Sequence, residues 1–209
     1  MSKAKKESFF WTSYSDLMTS LFFVMLVLFV LVVALLHNKI SEQALKLEEF
    51  EKIEEIKRSL NNIDSTYFTY NPEYKKHILN IRVEFPTGQS NITKVDPQTL
   101  FKLKEAGLSI RNQIMETTKS NPEIQYLLII EGQASKDFYM YNYELSYSRA
   151  LALRNYWKSQ GIEFGNNCEV LISGSGTGGT MRESDEKKNQ RFLIHIIPKT
   201  GVIKKDNGN

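Results

Sequence analysis

The sequence is poor in the residues that most enzymes depend on. It carries one cysteine, Cys168, so no internal disulfide can form. Cys168 reads as a small buried residue at the start of a strand. The three histidines, His37, His77 and His195, lie far apart, and none has a partner at metal-ligand or triad spacing. The chain is therefore read as a non-enzyme, without catalytic groups, a metal site or a cofactor. Net charge is also scarce. The formal value of +3, with both signs spread along the chain, excludes nucleic acid as the expected partner. The loop GSGTGGTMRESDEKKNQ is rich in glycine but lacks the Lys-Ser/Thr of a phosphate cradle, and no helix signal follows it.

What the chain does have is one long apolar run. From Leu17 to Leu36 no residue is charged. At about 1.5 Å per helical residue, that run spans about 30 Å, the thickness of a bilayer's hydrocarbon. The expected transmembrane segment is 9–37, after a short 1–8 terminus. Lys3, Lys5 and Lys6 before the run place the N-terminus in the cytoplasm by the positive-inside rule. The run is too long for a signal-peptide core and lacks a small-x-small cleavage site, so it reads as an anchor. Asp16 sits at its N-terminal edge. A carboxylate near hydrocarbon marks an ion pathway by default, the competing reading being a helix end in the headgroup layer. Low dielectric disfavours the charged form, which suits a group that loads and releases an ion. Thr19 and Ser20, a turn further on, offer hydroxyls either to an ion path or to their own helix backbone.

Trp11, Tyr14, Asp16, Met18, Thr19 and Leu21 together resemble the opening of the MotB family, the B subunits of ion-driven stators. The resemblance implies that Asp16 carries a proton or sodium ion, with Tyr14, Thr19 and Ser20 beside the path. It also implies a homodimer of B subunits inside a pentamer of multi-span A subunits. One helix cannot enclose a carboxylate, and the chain has no second run of comparable length, so the walls of any path must come from other chains.

Residues 38–74 are expected to form a helical connector. Leu47, Phe50, Ile53, Ile56 and Leu60 recur at three- and four-residue steps. That stripe serves either to pair two copies or to pack on the chain's own domain. Asn61-Asn62 and Asn71-Pro72 read as a break. The remainder, 75–198, reads as an α+β domain followed by a polar tail, 199–209. Leu79, Ile81, Val83 and Phe85 alternate with polar residues, which predicts a strand over 75–85 ended by Pro86-Thr87-Gly88. Asp96 as N-cap and Pro97 open a helix to about Lys119, with Leu100, Leu103, Gly107, Ile110 and Ile114 on one face. Ile124–Ile130 is an apolar run that predicts a central strand covered on both faces. A helix follows from about Tyr143 to Gln160, with Asn142 as N-cap and Leu145, Leu151 or Ala152, Leu153, Tyr156 and Trp157 inward. Strands are expected at 169–173 and 191–197, giving a mixed sheet with helices on one face.

Gly132, Asn142, Leu145-Ser146-x-x-Arg149-Ala150, Gly174-x-Gly176 and Asn189-x-Arg191 resemble the OmpA C-terminal-like domain, also found in MotB. That domain binds peptidoglycan through the diaminopimelate of the stem peptide. The resemblance implies that Arg149 pairs with a ligand carboxylate, with Tyr141, Asn142 and Leu145 around it. A guanidinium fork suits a planar carboxylate. The alternative for Arg149 is a surface arginine in a structural salt bridge. The sequence departs from the family where an aspartate takes the ligand's amino group. Ser135 fills that slot, and Asp137 stands two residues later. These departures, with Tyr141-Asn142 and the MotB-like opening, are most similar to the ZorB-type stator subunits of Zorya anti-phage systems. The implied protein is a single-pass bacterial inner-membrane subunit with a periplasmic domain on the wall. A flagellar stator and a passive wall anchor are the alternatives. An ExbD-like energy transducer shares the aspartate but not the L-S-x-x-R-A element.

Overall fold

The computed structural model describes residues 3–61, 63–86 and 88–199, with side chains described from Phe10 onward. Asn62, Thr87, the tail from 200 and the side chains of Lys3, Lys5 and Lys6 lie outside the described residues. The chain divides into two compact units, Met1–Lys52 and Ile53–Asn209.

The first unit belongs to one helix, α1 (Lys3–Leu60). Among the described residues it is the one helix long and apolar enough to cross a membrane. Every side chain from Phe10 to Glu51 is exposed, the apolar ones included. The expected pairing stripe is divided. Leu47 and Phe50 are exposed, whereas Ile53, Ile56 and Leu60 are buried in the core of the second unit. A seam through all five residues is therefore excluded, because three of them already pack on their own domain.

The second unit is a five-stranded mixed sheet with two helices. The strands are β1 (Phe68–Asn71), β2 (Lys76–Leu79), β3 (Tyr126–Gln133), β4 (Cys168–Gly176) and β5 (Phe192–Pro198), in the order β1-β2-β5-β3-β4. Only β3 and β4 run parallel. Helices α2 (Pro97–Ser120) and α3 (Asn142–Ser159) complete the α+β fold. Asp96 caps α2 as expected, its carboxylate accepting from the Thr99 amide at 2.9 Å. The expected face of α2 is buried at Leu103, Gly107, Ile110 and Ile114. Trp157 of α3 lies against it, fully buried, with Nε1 donating to the Leu103 carbonyl at 2.7 Å. A Cβ on Gly107 would come within 2.6 Å of that indole.

Three expectations are corrected. The domain does not begin at 75: the β1–β2 hairpin lies within the expected break, and its β1 has only four residues, too few to show a period. The strand over 75–85 is paired only at its start. Residues 80–86 keep alternating burial, with Ile81, Val83 and Phe85 inside, but form no ladder. The register His77↔Ile194 and Ile78↔Leu193 would bring 82 opposite Asn189, where the chain turns into a short 3-10 segment, Glu186–Asn189. The partner strand has ended, so burial periodicity survives without pairing. Finally, β3 is not covered on both faces. Leu128 and Ile130 are buried, but Leu127 and Ile129 on the other face are half-exposed. Cys168 does start β4, half-buried rather than buried, and burial pushes its thiol up to about 11. That makes it a poor nucleophile.

Candidate functional site

The site is built from the buried face of α3. Asn142, Leu145, Ser146, Arg149, Ala150, Leu153 and Trp157 are all buried, at steps of three and four along the helix. The L-S-x-x-R-A element is thus a single inward stripe. Its apolar members fill the core, Ser146 meets the ends of β3 and β4, and Asn142 and Arg149 meet the loops beside them. Helix and sheet touch there with no side chain between. A Cβ on Gly132 would lie 2.1 Å from the Ser146 carbonyl oxygen, and one on Gly174 would lie 2.4 Å from the Tyr147 nitrogen. Ser146 is fully buried, donates to the Tyr143 carbonyl and accepts from the Gly176 amide at 2.9 Å. These glycines and Ser146 fix the start of α3 on the strand ends, and so fix Arg149.

Arg149 is only 3 % exposed. Its Nε donates to the Gln89 carbonyl at 3.1 Å, and its guanidinium carbon lies 4.7 Å from the centre of the Phe85 ring. Among the described residues it forms no ion pair. Burial pulls its pKa below the ordinary value, and the fields of Asp137 and Tyr139 partly oppose this. The arginine is therefore not the surface residue of a structural salt bridge. A buried cation without a paired anion is costly, and an incoming carboxylate would relieve that cost.

Asn142 is the first helical residue rather than the cap, which is Tyr141. Its amide nitrogen donates to the Asp137 carboxylate at 2.9 Å and to the Tyr139 carbonyl at 2.8 Å. Asp137 also accepts from the Tyr139 amide at 3.0 Å, so its carboxylate is held at the mouth while remaining exposed. Ser135 is buried and accepts from Gln190 Nε2 at 2.7 Å. Of the two residues open to the role of amine acceptor, Asp137 is the one that is exposed, whereas Ser135 is turned to Gln190. Leu145 is buried beneath the site, and Tyr141 is exposed with its ring edge-on to Tyr139 at 6.0 Å.

Asn189 and Arg191 belong to a different structure. Arg191 donates to Gln133 and the Met181 carbonyl and pairs with Glu183 at 3.0 Å, while Asn189 spans Glu183 and Glu186. Arg182 adds bonds to Glu186 and the Ala134 carbonyl. This clasp folds the glycine-rich loop onto β3. Arg182, Gln89 and Tyr139 carried no signal in the sequence, because loop residues have no period to reveal their partners. Phe85 was legible as a core residue but not as the ring beneath Arg149.

In the first unit, Asp16 is exposed, with no hydrogen-bond or ionic partner among the described residues. Thr19 donates to the Ser15 carbonyl at 2.8 Å and Ser20 to the Leu17 carbonyl at 2.9 Å, so both hydroxyls are satisfied by their own helix. The Tyr14 ring lies 6.5 Å from that of Phe10 and 6.3 Å from that of Trp11.

No family model matches the sequence, and no curated protein matches it. Among solved structures it is similar to a MotB-like protein from Desulfovibrio vulgaris, with 13% identity over 72% of this chain and 96% of that one, at a TM-score of 0.44. The periplasmic domain of Helicobacter pylori MotB is 16% identical over 59% of this chain and 73% of that one, at 0.39. The peptidoglycan-associated lipoprotein of Burkholderia pseudomallei is 18% identical over 56% and 88%, at 0.34. At these values the likeness is one of partial chain trace, and it assigns neither a family nor a ligand to this protein.

Proposed function

We propose that this protein is the B subunit of an ion-driven stator in the bacterial inner membrane, anchored to peptidoglycan by its second unit and serving anti-phage defence. The observation that carries the anchoring half is Arg149, a buried guanidinium that forms no ion pair among the described residues, with Asp137 the carboxylate whose charge acts on it. A stem-peptide carboxylate supplies the missing anion, and Asp137 receives the ligand's amine. The driving half rests on Asp16 and the residues around it in the sequence. In a dimer inside a ring of A subunits, each Asp16 loads a proton or sodium ion from one side and releases it to the other. The ring turns with each step, and the wall bond holds the B dimer still.

The experiment is Asp16→Asn beside wild type, each co-expressed with the A subunit and scored for phage protection and for swimming. The expected result is loss of protection with assembly and swimming unchanged. Loss of swimming instead would assign the chain to a flagellar stator. Full activity of the variant in both assays would leave only a passive wall anchor.

A further inference from the structure

Between β3 and α3 the chain presents large side chains to solvent instead of folding them away. Phe138 is fully exposed, Met140 is 84 % exposed and Tyr141 is 56 % exposed. Three such side chains within four residues of one loop offer apolar surface to a ligand. The loop that carries them is held in shape. Asp137 bonds the Tyr139 amide, Asn142 bonds both Asp137 and the Tyr139 carbonyl, and Glu186 accepts from the Lys136 amide at 2.8 Å. A held surface loses less entropy on binding than a mobile one.

We propose that Phe138, flanked by Met140 and Tyr141, is a sugar-stacking platform, so that the site takes a glycan-bearing muropeptide and not the stem peptide alone. This rests on the wall-binding reading of Arg149. The platform is joined to that site, since Asp137 and Tyr139, the neighbours of Phe138 in the chain, both accept from Asn142, which shares the buried face of α3 with Arg149. Its occupant must therefore tolerate charge beside it. An apolar helix or a lipid tail would strand Asp137 and Lys136, both exposed, against hydrocarbon. A pyranose ring has an apolar C–H face to lay on an aromatic ring and a hydroxyl rim to meet water and the phenols of Tyr139 and Tyr141. Aromatic rings with a polar tip are suited to such half-wet contacts.

The test uses the full chain in lipid nanodiscs and two probes: the tripeptide L-Ala-γ-D-Glu-meso-diaminopimelate, and the same peptide on an N-acetylglucosaminyl-N-acetylmuramyl disaccharide. Calorimetry is expected to show the wild type binding the disaccharide probe about tenfold tighter, the worth of one stacked ring. Phe138→Ser should abolish that preference and leave tripeptide affinity unchanged, and Phe138→Trp should retain it. Equal affinity of the wild type for both probes overturns the platform and leaves the wall reading standing. Binding of neither probe overturns both. A Phe138→Ser variant that keeps the preference, or that loses both probes equally, also overturns the platform.

Discussion

The two units treat apolar side chains in opposite ways. From Phe10 to Phe50 they all face outward, whereas in the second unit Leu103, Ile110, Leu128, Ile130, Leu153 and Trp157 are almost wholly enclosed. Each unit also holds one charge out of place. Asp16 stands on an exposed helix and Arg149 lies inside a core, and neither forms an ion pair among the described residues. The second unit completes its own core. The first has no core of its own among its described residues: its apolar side chains from Phe10 to Phe50 are all exposed.

The largest expected contrast comes from adding one methyl group. Gly132→Ala drives a Cβ into the Ser146 carbonyl, and it should cost the second unit about 3 kcal/mol or more. Thermal unfolding followed by near-ultraviolet circular dichroism would read it. Val27→Ala, on the exposed run, should leave that transition unmoved. Next, Ile56→Ala should destabilise the second unit by about 2–4 kcal/mol, while Leu47→Ala and Phe50→Ala should stay within about 0.5 kcal/mol. A large effect at Phe50 would show that the division of α1 between the units is misplaced.

A smaller effect is expected with pH. His195 lies on the sheet face away from α3, because its partner Ile129 alternates with Ile130 and Gly132. Burial, and then the charge of Lys76, push its pKa down to about 4, with Glu131 opposing and His77 adding to the fall. The unfolded chain binds its proton near pH 6.5 and the folded chain does not, so stability is full above that value and falls as pH drops from about 6.5 to about 4. After discounting for partial exposure the loss is on the order of 1 kcal/mol. His195→Asn should flatten that limb of the melting profile, and an unchanged slope would contradict the assignment.

Much of this was legible in the sequence, for different reasons in different places. Asp96 and Pro97 announce α2 because capping is local chemistry. The inward face of α3 follows from its spacing. The failures share one cause: a period reports which side is buried, not what lies opposite. Residues 80–86 alternate correctly, yet no strand faces them once the chain before Phe192 turns into its 3-10 segment. Tyr126 to Ile130 reads as an apolar run, but nothing in the run reveals that Leu127 and Ile129 line a half-open face. The site was half visible. Arg149 and Asn142 stood out through a resemblance, whereas the bond of Ser135 to Gln190 and the setting of Asp137 beside Asn142 required the folded loops.

The most direct measurement is co-sedimentation of the detergent-solubilised full chain with purified peptidoglycan sacculi, comparing wild type with Arg149→Met and recording the melting temperature of each. Methionine fills similar space over Phe85 without burying a charge. The account predicts that wild type pellets with the sacculi, while Arg149→Met stays in solution with an equal or higher melting temperature. A variant that pellets as fully as wild type would contradict the central claim that this buried arginine holds the wall.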